Sequence, residues 1–189
     1  MSNLTDIHPK IFISYAWANN NTTSFVLHLA ERLSAHGVEV ILDRWSLKEG
    51  QDKYSFMEKT VDDVSITNVL LVCNKAYKER ADARRGGVGD ETTVITPEIY
   101  GNASQTKFIP ILLERDDNGN DYLPAYIKSR LYVDFSNEND YESAYEKLLR
   151  RLYDKPSYKQ PPLGKPPEWL EEDSVNYNEL NILVKKLKI

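Results

Sequence analysis

Two rhythms of apolar residues run through the chain. Short unbroken runs alternate with stretches where apolar residues return every three or four positions. Lys10–Ile11–Phe12–Ile13–Ser14–Tyr15 reads as a first strand and turns polar at Ser14. A helix follows, with Phe25, Val26, Leu29 and Leu33 forming one apolar stripe. Thr22, Thr23 or Ser24 is its expected cap, and Gly37 its stop, since glycine suits the left-handed position beyond a helix end. Val38–Leu42 is the second strand, and the charged loop Ser46–Asp52 leads to a helix containing Phe56, Met57, Thr60, Val61 and Val64. The run Val69–Leu70–Leu71–Val72–Cys73 fits a strand covered on both faces, as in a parallel sheet. A fourth strand spans Lys107–Leu113, where Pro110 lacks a ladder donor and argues for a sheet edge or a bulge. Leu131–Phe135 is a short last strand, and Tyr141–Tyr153 a closing helix with Ala144, Tyr145, Leu148, Leu149 and Leu152 on one side.

Strands alternating with helices at this spacing predict right-handed crossovers and an α/β fold: a flavodoxin-like five-stranded parallel sheet with helices on both faces. That order sets strands one and three side by side at the switch point. Ser14–Trp17 and Asn74–Tyr77 then flank one crevice, with the Gly86–Glu91 loop beside it. Composition changes near the end, where five of the nine prolines fall in Pro156–Pro167. The expected organisation is a frayed terminus at 1–9, one domain at 10–153, a semi-rigid Pro-rich linker at 154–167 and a short segment at 168–189.

The 41% hydrophobic and 28% charged residues are ordinary for a globular chain, and a net charge of -5 argues against direct nucleic-acid binding. Cys73 is the one cysteine, so no disulfide forms within the chain and a reducing, cytoplasmic setting is expected. Met1–Lys10 has no apolar segment resembling a signal peptide, and the apolar runs are too short to span a bilayer. His8, His28 and His36 are scattered, so no metal site is expected. Arg80, Arg84 and Arg85, with Lys75 and Lys78, read as a solvated basic loop with the option of meeting an anion.

Chemistry is sought first outside the carboxyl ends of the strands. Glu91 is the acid that the glycine-punctuated loop delivers there, behind Asp90 as a potential cap. Glu98 is the rival: it lies seven residues on, about 10 Å further along a helix axis, and Thr96–Pro97 also resembles a helix start. Both stay open on spacing alone, since a first-turn acid is common on any solvated helix.

Three stretches in this order resemble the Toll/interleukin receptor (TIR) superfamily, and within it the bacterial SEFIR-like branch. They are Lys10–Ala16, the second strand running into Asp43–Arg44–Trp45–Ser46–Leu47–Lys48–Glu49–Gly50, and Val72–Cys73 leading to Gly86–Gly87–Val88–Gly89–Asp90–Glu91. The resemblance covers roughly residues 9–153. It implies homotypic TIR–TIR association and, as in many bacterial members, cleavage of NAD+ at the nicotinamide–ribose bond in antiphage defence. NAD+ would be substrate, with no cofactor required, and a sensor domain or partner protein is a further expected contact. Glu91, or alternatively Glu98, would be the catalytic carboxylate. Ser14, Tyr15, Ala16 and Trp17 would contact nucleotide, with Tyr15 or Trp17 stacking on a ring. Asp43, Trp45 and Lys48 would belong to the family's BB loop, which gates the site and makes assembly contacts, with Lys48 meeting a phosphate. Arg44 reads as solvated and Trp45 as the loop's plug. Family enzymes commonly carry a tryptophan shortly before the glutamate; here that position is glycine-rich.

Overall fold

The apolar runs form the sheet. β1 (Lys10–Tyr15) and β3 (Asn68–Cys73) lie at its centre, and all six residues of β3 are buried. β2 (Glu39–Leu42), β4 (Phe108–Leu112) and β5 (Val133–Asp134) complete it. All neighbours pair in parallel in the order β2-β1-β3-β4-β5, so β1 and β3 do meet at the switch point. This computed structural model describes residues 8–17, 19–83, 95, 100–101, 105–167, 170 and 177–187. Glu91 and Glu98, with the glycine loop before them, lie outside the described residues.

Because successive strand residues face opposite ways, the sheet divides its apolar side chains between two layers. Ile11, Ile13, Tyr15, Leu70, Val72 and Ile111 pack with α1 (Asn20–Ala35) and α5 (Tyr141–Leu152). Phe12, Val69, Leu71, Cys73 and Leu112 pack on the other face with Met57 and Val61 of α3 (Lys53–Asp62) and Tyr77 of α4 (Lys75–Ala83). Each such side chain contributes about 1.5–3 kcal/mol by leaving water. Cys73 is part of that packing: its buried thiol donates to the Leu71 carbonyl at 3.2 Å, and burial raises its pKa.

Several local expectations are corrected. Asn19, not a threonine or serine further on, caps α1, its Oδ1 accepting the Thr22 N–H at 2.8 Å while Thr22 itself is buried. Val64 lies past the end of α3 and is 98% exposed, and Leu131 precedes β5 and is 96% exposed. Residues 75–83 are helix rather than loop, and Asp43–Ser46 forms the single-turn α2. Pro110 sits on an interior strand, paired with Leu71 of β3. Its neighbours explain why that is tolerated. Leu113 donates to Cys73 on the β3 side, while Leu112 accepts from Phe135 on the β5 side. Pro110 shares the parity of Leu112, so its missing N–H faces β5, whose ladder reaches only Ile111 and Leu112.

The chain divides into two units, Met1–Pro156 and Ser157–Ile189. The first carries the sheet and its helices. The second carries α6 (Tyr177–Lys186), on which Ile182, Leu183 and Val184 are exposed. No helix among the described residues is long and apolar enough to cross a membrane.

Candidate functional site

The loops leaving β1 and β2 are bound together at the carboxyl end of the sheet. Ser14 and Tyr15 end β1 and Ala16 follows, none with exposed surface, while Trp17 emerges, 37% exposed. Asp43, the first residue of α2, is completely buried. Its carboxylate accepts the Trp17 indole N–H at 2.9 Å on one oxygen and the Arg44 backbone N–H at 2.7 Å on the other. Burial raises its pKa above the ordinary carboxylate range, against the pull of those donors. The same burial, reinforced by the Asp43 charge, pushes the Tyr15 phenol up to about 12.

Further round the β2 loop, Trp45 is 50% exposed and Lys48 is exposed. The loop turns on itself there: Lys48 N–H donates to Gln51 Oε1 at 3.0 Å and Gln51 N–H to the Lys48 carbonyl at 3.2 Å. Between them Gly50 takes a φ of +86°, which a side chain would resist. The indole of Trp17 carries two cations over its ring, Arg44 at 4.9 Å and Lys53 at 4.5 Å from the centroid. Sequence reading singled out neither as a site residue. Trp17 and Lys53 lie far apart in the chain, so no local pattern announces the contact.

On the α3–α4 face a chain of buried hydroxyls runs from the same crevice. Ser14 Oγ lies 3.1 Å from the Tyr77 hydroxyl, which accepts the Ile95 N–H at 3.2 Å, and the Tyr126 hydroxyl donates to the Ile95 carbonyl at 2.6 Å. Burial holds the phenols of Tyr77 and Tyr126 well above their ordinary values, so both stay neutral. They anchor Ile95, between Glu91 and Glu98 in the chain, against the end of β1.

A separate cleft of about 510 Å³ opens outside the ends of β3, β4 and β5 on the α1–α5 side. Asn19, Asn74, Glu114, Ser136, Tyr141 and Glu142 are among its lining residues; of the described residues, Ser14, Tyr15, Ala16, Trp17, Asp43, Trp45 and Lys48 are not. Asn74 is fixed in its wall, donating to Thr22 Oγ1 at 2.9 Å and accepting the Tyr77 N–H at 2.8 Å. Glu142 is held by Arg32 through two bonds of 2.7 and 2.6 Å. Among the described residues no group of three or more histidines, cysteines and carboxylates is placed to hold a metal. Among the described residues, the predicted ones lie at the end of β1 and on the β2 loop: Asp43 and Trp17 touch, Ser14, Tyr15 and Ala16 are buried before them, and Trp45 and Lys48 stand exposed.

The geometry has counterparts. A crystal structure of a prokaryotic SEFIR domain is 44% identical in sequence and superposes with a TM-score of 0.70, covering 82% of this chain and 99% of that one. The TIR domain of the Toll-related receptor TRR-2 from the lower metazoan Hydra magnipapillata shares the fold, at 12% identity and a TM-score of 0.55, covering 76% and 97%. No curated protein matches the chain. The family profile described as "TIR domain" matches residues 11–149. With that match over most of its length and a SEFIR relative at 44% identity, the chain belongs to the TIR domain family.

Proposed function

We propose that this TIR domain is an NAD+ glycohydrolase of bacterial antiphage defence, cytoplasmic and switched on by self-assembly. The observation that carries the reading is the joint formed by the β1 and β2 loops. Asp43 fixes Trp17 between the loops that leave β1 and β2, and exposed Trp45 and Lys48 lie on the same β2 loop. In this reading Glu91, with Glu98 as the alternative, faces the ribose beside nicotinamide. The bond between ribose C1′ and the nicotinamide nitrogen breaks, its electron pair leaving with neutral nicotinamide, so no acid is needed for departure. The carboxylate stabilises the oxocarbenium left behind and orients the ribose hydroxyls. Water then adds to C1′ and releases its proton to solvent, giving ADP-ribose; attack by an atom of the substrate itself gives a cyclic product instead. NAD+ is the substrate and no cofactor is required. Association of one TIR domain with another, or with a sensor domain or partner protein, brings a neighbour's β2 loop to the site.

The test is nicotinamide release from NAD+ by concentrated or artificially clustered protein. Clustered wild type should turn over, and Glu91→Gln should lower kcat by about 10²–10³. Loss confined to Glu98→Gln moves the role to that acid. A second reading, a non-catalytic module recruiting partners through TIR–TIR contacts, is favoured by two observations. Ser14, Tyr15 and Ala16 offer no exposed surface, and glycines stand where family enzymes carry tryptophan before the glutamate. Absence of turnover in every assembled form selects it.

A further inference from the structure

The cleft outside the ends of β3, β4 and β5 has no part in the proposed reaction, and its wall is chemically sorted. Its floor is made of buried donors. Asn74 accepts the Tyr77 N–H at 2.8 Å on its amide oxygen, which turns the amide nitrogen toward Thr22, whose Oγ1 takes one of its two hydrogens at 2.9 Å. Asn74 is 2% exposed and Thr22 3%, and both line the cleft. Each keeps a donor in hand. The second N–H of Asn74 and the hydroxyl proton of Thr22 meet no acceptor among the described residues. Leaving such a buried donor unmade costs about 1–3 kcal/mol. The rim carries acceptors instead. Glu114 is exposed, with one carboxylate oxygen accepting the Lys75 backbone N–H at 3.1 Å, and Glu138 is exposed on the turn before α5. Rings stand beside them. Phe25, Phe135 and Tyr141 meet edge to face, and Phe25 and Tyr141 are only half-buried.

Charge and bonding capacity narrow what fits. At about 510 Å³ the cleft has the size of a small-molecule site. Among the described residues no lysine or arginine lines it, while Glu114, Glu138 and Glu142 do. Arg32 neutralises Glu142, and the other two repel a phosphate or carboxylate. A cation would meet the rim but leave the floor donors unmatched. A sugar hydroxyl donates and accepts at once, and the C–H face of its ring covers apolar surface. We propose that this cleft binds an uncharged, polyhydroxylated ligand, a neutral mono- or disaccharide. Thr22 and Asn74 donate to its oxygens, Glu114 and Glu138 accept its hydroxyl protons, and Phe25 or Tyr141 underlies its C–H face.

The test uses ¹⁵N-labelled full-length protein and reads the side-chain amide pair of Asn74. The sugars titrated are D-ribose, D-glucose, D-mannose, N-acetylglucosamine and maltose, with spermidine and inorganic pyrophosphate as charged counterparts. At least one sugar should move the pair saturably below about 100 mM, as millimolar binding does. Added salt should leave that affinity unchanged, since no ion pair forms. Glu138→Ala and Thr22→Val should each weaken the binding by about tenfold. Lys147→Gln, on the exposed side of α5, should leave it as it is. The Tyr77 backbone N–H resonance reports whether Thr22→Val keeps the floor, and the exposed Glu138→Ala decides if it does not. The proposal is overturned if no sugar moves the pair, or if the folded variants bind like wild type. It is equally overturned if spermidine or pyrophosphate saturates the pair while the sugars do not, which would make the cleft an ion site. None of these readouts depends on NAD+ turnover, so the result stands whichever reading of the β1 and β2 loops holds.

Discussion

Asp43 shows what a single residue does here and how little of it a sequence displays. In the chain it is one acid in a charged stretch. In the fold it is a buried carboxylate joining two loops, with Tyr15 and Trp17 facing it from β1 and its loop, and Arg44 from its own turn. Trp17 lies 26 positions away, and no periodicity links the two. The sequence singled out the aromatic and the acid separately but not their bond, because only the parallel pairing of β1 with β2 brings them together. Burial raises the Asp43 pKa above its unfolded value, so the folded state binds that proton more tightly. The sign of the pH effect follows. Stability from this group is fully present below the unfolded pKa and is lost as pH rises through the raised folded value. Urea unfolding of wild type and Asp43→Asn across about pH 4 to 7 should therefore show wild type losing ground to the variant as pH increases. A difference that grows in favour of wild type with rising pH would mean that the donors, not burial, govern the carboxylate.

Elements were readable in proportion to the apolar face they bury. The stripes on α1 and α5 announced themselves, and the buried residues of α5 are Ala144, Tyr145, Leu148 and Leu152, spaced for one face. The helix α4 was hidden because it buries only Tyr77 and Ala81 among charged neighbours, a stripe too thin to distinguish from a wet loop. The single-turn α2 gave no period at all. Between α1 and α5 the contact has a polar half as well. Arg32 grips Glu142 with two bonds, lies 3.9 Å from the centre of the Tyr145 ring, and accepts the Tyr145 hydroxyl at its carbonyl at 3.2 Å. Apolar packing under this clasp should dominate, since exposed ion pairs are screened. Leu148, fully buried, and its neighbour Leu149, half-buried, separate the two layers of that contact. Leu148→Ala should cost about 2–5 kcal/mol by urea unfolding, and Leu149→Ala clearly less. Equal losses would show that the inner layer relaxes around the cavity.

At the scale of the molecule the fold was legible because two periods alternate along it, and they force a layered parallel sheet with crossovers on both sides. For the candidate site the sequence offered only a place, the crevice outside the carboxyl ends of β1 and β3, because topology fixes where loops gather but not which side chains turn inward. The chain's end carried a different signal, five prolines in twelve positions, and residues 154–167 are exposed throughout. Among the described residues, those buried in the two core clusters fall between Ile11 and Leu152. The first unit thus carries two apolar layers of its own with which to offset chain entropy. A chain ending at Pro156 should fold by itself and unfold in one cooperative transition. For a unit of this size a change of 1 kcal/mol moves Tm by about 2–4 °C. Calorimetry of residues 1–156 beside the full chain should place the two transitions within that interval. A fall well beyond it, or loss of the cooperative peak, would mean that the last 33 residues complete a core which the first 156 leave open.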